Sequence, residues 1–233
     1  MPQVRVDWQL DGNGVVQQAT LRQRAIGGDG TWPLTVQLVV VDAAGGRTTL
    51  VVRSDAERTP LAELVGRAGP AAVLVNPDDV AYGQFVPDAV TQRHLLRTLP
   101  DERDPLLRAT ATAALFEAVR EAELDPAAFA DLVLRLLARE ADPDTHGVLL
   151  DLLGTTMLRY LPDARSQPLL ERATELLLQQ LRAEADSGRE LGTFRFLCRA
   201  STDERVLALC HAVILDRELP RGTAAGAGST AVP

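Results

Sequence analysis

Residues 74–88 read LVNPDDVAYGQFVPD, and the periodicity of the sequence changes at the end of this stretch. Before it, apolar residues such as Val4, Val6 and Trp8 alternate with polar ones, which is typical of strands with one buried face. From Pro87 onward, apolar residues recur every three or four positions, which predicts amphipathic helices. The sequence therefore predicts an α+β protein in which strands come first and helices follow.

Short strand-length segments fill the part of the chain that precedes Pro87. Gly-rich stretches at residues 11–14, 27–30 and 44–46 separate several of them and are typical of turns. About seven short strands at close spacing favour a small antiparallel β-sandwich. The predicted strands cover residues 4–10, 15–24, 34–42, 47–53, 61–66, 71–76 and 81–86.

Helix starts after Pro87 share one signature. Asp104, Asp125 and Asp142 each precede a proline, which indicates an N-cap side chain followed by proline at the first helical position. Ser201, with a glutamate three residues later, predicts a capping box. The spacing of the starts gives roughly 40 residues per helix pair, the period of HEAT-like arrays. An irregular helical bundle is an equal alternative. The predicted helices cover residues 88–99, 104–122, 126–140, 143–161, 167–186, 188–200 and 202–217.

A length of 233 residues fits one large domain or two modest ones. Because the periodicity changes near Pro87, we expect a β-sandwich domain at residues 1–86 and a HEAT-like helical domain at residues 87–221. Residues 222–233 are mostly Gly, Ala, Ser and Thr, which predicts a flexible tail.

Composition excludes several classes of partner. The chain has 24 basic residues, all of them arginine, against 32 acidic residues, for a formal net charge of −8. No basic surplus is present to neutralise phosphates, so nucleic acid is not an expected partner. No apolar run approaches the roughly 20 residues that a membrane span needs, so no membrane is expected either. Two cysteines give no disulfide framework, which favours the cytoplasm.

Residues with catalytic or metal-binding chemistry are few and scattered. His94, His146 and His211 lie far apart, and none belongs to an H-E-x-x-H arrangement, so no local zinc site is predicted. Cys198 and Cys210 fall on apolar helical faces and are predicted to be core thiols. No serine lies in a G-x-S-x-G elbow. The sequence therefore predicts no catalytic, cofactor-binding or metal-ligating residues in this chain.

The stretch at residues 74–88 resembles a segment of zinc aminopeptidases of the aminopeptidase N type, the gluzincin aminopeptidases. That segment reads approximately l-l-N-x-D-D-x-x-Y-x-x-x-x-x-D, and Asn76, Asp79 and Tyr82 fall on its matching positions. Further along, Arg108 lies in a helix start similar to the family's d-x-l-x-R-a. The resemblance implies that these four residues join a β-sandwich to a helical C-terminal domain. They are expected to be structural and not catalytic.

Two of these residues carry a specific structural expectation. The side-chain amide of Asn76 is expected to satisfy backbone groups left by the break in strand pairing. Tyr82 is expected to pack its ring and to hydrogen-bond its hydroxyl.

The resemblance also implies a function. The family's zinc ligands, its general-base glutamate and its G-x-M-E-N strand belong to domains that precede the sandwich, and they match no residue of this chain. The chain is therefore expected to be a non-catalytic C-terminal portion that covers the active-site cleft and limits access to peptide N-termini. No cofactor is expected in this chain, and zinc is expected in the complete enzyme. The expected partners are a catalytic domain, in cis or in trans, and peptide substrates bound by the complete enzyme.

Two other readings stay open at this point. The chain could be a hydrolase with a dispersed site of its own, although no triad or metal cluster can be named for it. It could also be an independent helical-repeat module that binds another protein. A hydrolysis test with zinc and an aminoacyl-p-nitroanilide, followed by a test of binding to a catalytic fragment, distinguishes these two possibilities from the aminopeptidase portion.

Overall fold

Strands precede helices along the chain, as the change of periodicity predicts. A computed structural model describes residues 1–183 and 188–216, and the predicted tail at residues 222–233 lies outside the described residues. The α+β class is confirmed. The strands are β1 (Pro2–Leu10), β2 (Val16–Ala25), β3 (Leu34–Val41), β4 (Arg47–Ser54), β5 (Arg58–Pro60), β6 (Ala72–Val75) and β7 (Gln84–Phe85).

The strands form two sheets. One sheet has four strands in the order β5-β2-β1-β7, and the other has three in the order β4-β3-β6. Every pair is antiparallel except β1 with β7, which are parallel and pair Gln3 with Gln84 and Val4 with Phe85. The sheets are therefore antiparallel, as predicted, at every described pair but this one. The chain reaches β7 from β6 in the other sheet, so β7 joins the first sheet by a crossover and not by a hairpin.

Alternation along β1 buries the side chains that the sequence pattern predicts. Val4 and Val6 are buried and lie in one hydrophobic cluster with residues of both sheets. Burial of each such aliphatic side chain is worth about 1.5–3 kcal/mol relative to exposure, so this shared cluster holds the two sheets together. Its other fully or nearly fully buried members include Leu21, Val36, Leu38, Leu61, Leu64 and Val73.

The segment at residues 61–66 is not a strand, and this prediction is wrong. Ala62–Leu64 forms a 3₁₀ turn, and the pairing strand of this region is the shorter β5 before it. Leu61 and Leu64 are both buried, and residues three apart share a face of a 3₁₀ turn. The apolar spacing of this segment therefore fits a turn better than the alternation of a strand.

Seven helices follow among the described residues, as predicted. α5 begins at Asp163, four residues earlier than expected, and contains Pro168. Its first turn forms because the amides of Arg165 and Ser166 both donate to the Pro162 carbonyl. The helices are α1 (Ala89–Thr98), α2 (Pro105–Arg120), α3 (Pro126–Leu137), α4 (Pro143–Arg159), α5 (Asp163–Ala183), α6 (Glu190–Ala200) and α7 (Glu204–Asp216).

Aspartate caps begin several helices. Asp104 accepts from the amides of Leu106 and Leu107, and Asp142 accepts from that of Thr145, as the Asp-Pro signature predicts. The predicted capping box at Ser201 is wrong. Since α7 begins at Glu204, its cap is Asp203, which accepts from the amide of Arg205 at 2.8 Å.

The chain divides into two compact units. The first is Met1–Leu132, and the second begins at Val133. In the first unit, α1 packs on β6 and α2 packs beside β7. In the second unit, α4 contacts α5 and α6, while α6 also contacts α5 and α7. Among the described helices, none combines the length and apolar character needed to cross a bilayer.

Candidate functional site

Residues 76–88, here called the junction segment, lead from β6 to α1. The Asn76 side chain bridges this segment, because its Nδ2 donates to the Ala81 carbonyl at 2.9 Å and its Oδ1 accepts from the Ala81 amide at 2.9 Å. Asn76 and Asp79 have positive φ values of 57° and 53°. Asparagine and aspartate enter this left-handed region more easily than most residues. A tight turn closed by one side-chain amide therefore follows β6.

The end of the junction segment is tied to both the helix and the sheet. Asp88 caps α1 by accepting from the Val90 amide at 2.8 Å and from the Thr91 hydroxyl at 2.5 Å. The same Thr91 hydroxyl accepts from the Val73 amide of β6 at 2.9 Å. The cap of α1 and the edge of β6 therefore belong to one hydrogen-bonded chain within the first unit.

The predicted packing of Tyr82 is wrong, because the Tyr82 side chain is 80% exposed. Val80 is exposed as well, whereas Ala81 between them packs against the hydrophobic cluster. Successive residues of an extended chain point to opposite sides. Since the Asn76 bridge turns Ala81 inward, its two neighbours face outward.

Of the other two predicted junction residues, Asp79 lies in this turn and Arg108 lies on α2. Asp79 is exposed, and its amide donates to the Asn76 carbonyl at 3.2 Å. Arg108 is half-buried on α2 and donates to the Glu102 carbonyl at 2.9 Å, which ties α2 to the loop before it. The role of these four residues as a junction stays a prediction.

A small apolar cavity lies beside the junction segment. It has a volume of about 20 Å³ and is lined by residues of β6, β7, α1 and α2, including Val73, Phe85, Leu95 and Ala111. A cavity of this size has room for about one water molecule, far below the volume of a ligand pocket. It is a packing defect and not a binding site.

An open cleft of about 430 Å³, here called the charged cleft, lies along β1 and β2. Arg5 donates to both carboxylate oxygens of Glu123 at 2.6 and 2.7 Å, and Arg24 donates to Glu121 at 3.1 Å and to Gln3 at 2.6 Å. The lining contains no serine, cysteine, histidine or tyrosine to act as nucleophile or base. The cleft is lined by Gln3, Arg5, Asp7, Arg22, Gln23, Arg24, Glu57, Glu121 and Glu123.

Sequence reasoning did not find the charged cleft. Its signal is present on the strands, because Gln3, Arg5 and Asp7 alternate with buried valines and therefore share the face opposite the core. Glu121 and Glu123 come from the connection after α2, far away in sequence, so periodicity alone does not place them there. Arg5, Arg22 and Arg24 each form an ion pair with a carboxylate of the cleft.

The three histidines lie on separate helices: His94 on α1, His146 on α4 and His211 on α7. Among the described residues, no three His, Cys, Asp or Glu side chains gather in a way that could hold a metal ion. A zinc site therefore does not fit the described part of this chain. The prediction that the chain binds no zinc stays a prediction.

His146 is buried, with 1% of its surface exposed, and its Nε2 lies 3.3 Å from the Gln180 Oε1. Burial lowers the pKa of His146 below its ordinary value, although the hydrogen bond with Gln180 opposes this effect. His94 is half-buried, and burial together with the charges of Arg97 and Arg47 lowers its pKa as well. Both side chains are therefore more readily neutral than a free histidine.

The two cysteines do not lie in the core, so this prediction is wrong. Cys198 on α6 is exposed, and Cys210 on α7 is half-buried. Their Sγ atoms are 3.0 Å apart. Helical periodicity places each cysteine near apolar residues of its own helix, but it does not show that the two helices bring the sulfurs together at a surface.

Comparison with known proteins finds a similarity that covers most of the chain. No protein-family model matches this chain. The chain is 30% identical over 219 residues to Aminopeptidase N of Streptomyces lividans. The match covers 87% of this chain and 25% of that protein, so the chain spans about a quarter of the length of this relative. The similarity is compatible with a portion of an aminopeptidase.

Proposed function

We propose that this chain corresponds to the non-catalytic C-terminal portion of a zinc metallopeptidase of the aminopeptidase N type. The observation that carries the proposal is the similarity to Aminopeptidase N of Streptomyces lividans, which runs across both the strands and the helices but covers a quarter of the relative. In this proposal, residues 1–86 are a β-sandwich domain and residues 87–221 are a HEAT-like domain. The complete enzyme acts in the cytoplasm, and its zinc and catalytic groups belong to another domain.

In the complete enzyme, the helical region covers the active-site cleft and limits access to peptide N-termini. The contacts within the second unit support this role, because α6 packs against its sequence neighbours α5 and α7 and also against α4. Helical arrays in which each helix packs on its near neighbours form extended surfaces suited to peptides and proteins. The partners of this chain are then the catalytic domain, in cis or in trans, and peptides held by the complete enzyme.

The first test uses the chain alone. With zinc and an aminoacyl-p-nitroanilide, we expect no hydrolysis above the buffer rate, and elemental analysis is expected to find no stoichiometric zinc. Zinc bound at one ion per chain and lost on His146→Gln would overturn the proposal in favour of a site within this chain. Hydrolysis that survives removal of metal by a chelator would favour the dispersed hydrolase instead.

The second test asks whether the chain can replace the matched quarter of the relative. A chimera of Streptomyces lividans Aminopeptidase N carries this chain in that place, and a truncated relative without it is the control. We expect the chimera to keep hydrolysis of a small aminoacyl anilide and to discriminate against long or folded N-termini more strongly than the truncated protein. Equal discrimination by both proteins contradicts the proposed covering role.

A further inference from the structure

The two cysteines of this chain meet at the surface of a helical hairpin. α6 ends at Ala200 and α7 begins at Glu204, so the connection between them is short and the helices are direct neighbours. Cys198 lies in the last turn of α6, and Cys210 lies in the middle of α7. The separation of 3.0 Å between their Sγ atoms is shorter than an ordinary contact between two sulfur atoms and about 1 Å longer than a disulfide bond.

The surrounding residues explain why the sulfurs meet at an edge. Phe196 and Leu197 of α6 and Val206 of α7 are buried at or below 2% exposure, and α6 and α7 contact each other. Cys198 follows this buried pair directly and is exposed. The two thiols therefore lie at the rim of a fixed helix–helix contact, where a small reagent in water can reach them.

We propose that Cys198 and Cys210 form a reversible intramolecular disulfide when the chain meets a hydroperoxide. This inference does not depend on the proposed function. It concerns the pairing of two described side chains within one unit, and it assigns to them a modification that the sequence pattern does not indicate.

The step balances in atoms and electrons. The thiolate of one cysteine attacks an oxygen of hydrogen peroxide, which breaks the O–O bond, forms a sulfenic acid and releases hydroxide that becomes water with the thiol proton. The second sulfur then attacks the sulfenic sulfur, so the S–S bond forms and the S–O bond breaks. The released hydroxide takes the second thiol proton. Two thiols are oxidised by two electrons, and the peroxide is reduced to two waters.

Protonation sets the speed of this reaction. Desolvation of the sulfur between the helices, followed by the hydrogen bond and charge of Cys210, raises the pKa of Cys198 to about 11, although the residue as a whole is exposed. Because thiolates and not thiols attack, oxidation is slow at neutral pH and faster in alkaline solution. The proximity of the two sulfurs instead speeds up formation of the disulfide, since the second sulfur needs no diffusion to reach the first.

The bond would close the segment from residue 198 to residue 210 into a ring. This ring contains the end of α6, the connection and the first half of α7. Oxidation therefore fixes the two helices against each other, and a dithiol reductant releases them. Cross-linking residues removes conformational freedom mainly from the unfolded state.

The test treats the full chain with hydrogen peroxide and then labels it with iodoacetamide in the folded state, with intact mass as the readout. The reduced chain is expected to take up two labels. The oxidised chain is expected to take up none, to lose the mass of two hydrogen atoms and to stay monomeric on a non-reducing gel. Dithiothreitol is expected to restore both labels. The rate is expected to rise with pH.

Two single variants, Cys198→Ser and Cys210→Ser, are the matched controls. Each keeps one thiol and is expected to give a sulfenic or further oxidised product, or a linked dimer, without the loss of two hydrogen atoms within one chain. The inference is overturned if the unsubstituted chain instead gains oxygen atoms on separate cysteines. It is also overturned if the main product is a dimer joined between chains, or if both thiols resist peroxide while the variants react.

Discussion

Asn76 bonds to both polar backbone atoms of Ala81 from a left-handed conformation, and it does so while buried. Asn76→Ala leaves this amide and carbonyl without their partner and places alanine at a positive φ. We expect the free energy of unfolding to fall by about 1–3 kcal/mol, the usual effect of unpaired buried polar groups. Urea unfolding of the full chain measures this change.

Two control variants separate the causes. Asn76→Gly accepts the positive φ without strain but lacks the amide, so most of the loss is expected to persist. Asn13→Ala changes an exposed asparagine and is expected to have a small effect. If Asn76→Gly is as stable as the unsubstituted chain, the hydrogen bonds contribute nothing and the prediction fails.

His146 makes stability depend on pH in a defined direction. Its pKa is lowered in the folded chain, so between the ordinary value of 6.5 and the lowered value the unfolded chain binds more protons. The contribution of His146 to stability is therefore fully present above about pH 6.5 and decreases as the pH falls below that value. His146→Gln keeps a neutral polar side chain near Gln180, so this variant is expected to lose less stability on acidification.

Urea unfolding at several pH values between about 7 and 5 measures this slope. His211→Gln is the matched control, because His211 is an exposed histidine of the same unit. Identical slopes for His146→Gln and the unsubstituted chain would mean that burial of His146 does not contribute to the pH dependence of the free energy of unfolding. His94 is expected to contribute in the same direction, since its pKa is lowered too.

For single residues, the sequence predicts local hydrogen bonds better than it predicts which side chains are exposed. The need for a polar side chain at Asn76 follows from a turn motif between two strands, whereas the outward position of Tyr82 depends on the bridge to Ala81. The meeting of Cys198 and Cys210 depends on how two helices pack. Local sequence patterns do not contain either of these tertiary relations.

Among the elements, α1 depends on a cap that also reaches the sheet. Asp88 accepts from the Val90 amide and the Thr91 hydroxyl, and Thr91 accepts from β6. Asp88→Ala is expected to lower the free energy of unfolding by about 1–2 kcal/mol, in the upper part of the range for N-caps. Urea unfolding is the measurement.

Asp88→Asn is the matched variant for the cap. Asparagine caps helices about as well as aspartate, so this variant is expected to retain most of the stability. An equal loss in both variants would show that the charge matters and that the acceptor geometry does not.

Helix starts are predictable here because their signals are local, as the Asp-Pro pairs at α2 and α4 show. The strands near residue 60 and at β7 are harder to predict. β5 has three residues and β7 has two, so neither contains enough positions to show alternation. The parallel pairing of β7 is a relation to β1 that lies outside the range of any local pattern.

Across the whole molecule, exposed connections and buried helices should differ in susceptibility to protease. Residues 101, 103 and 104 are exposed before α2, whereas most residues of α3 are buried. Brief digestion with a nonspecific protease is expected to cut near residues 100–104, or after Gly222 in the part that the structure does not describe. Mass spectrometry of the fragments locates the cuts.

The chain in urea is the control for this digestion, since unfolding exposes every peptide bond and should remove the preference. Equal cleavage of the folded chain throughout residues 130–200 would contradict a packed helical region.

The order of strands and helices follows from the periodicity of the sequence alone. The division after Leu132 does not, because α3 has one continuous helical pattern across it.

The Asn76 bridge also has a consequence for the chemical ageing of the protein. Asparagine deamidates mainly when the amide nitrogen of the following residue attacks the side chain, and the residue after Asn76 is proline, whose nitrogen has no hydrogen. The other asparagine, Asn13, is exposed and precedes a glycine, whose amide nitrogen carries the hydrogen that this attack requires. We therefore expect spontaneous deamidation on storage at the exposed Asn13 and not at the buried Asn76.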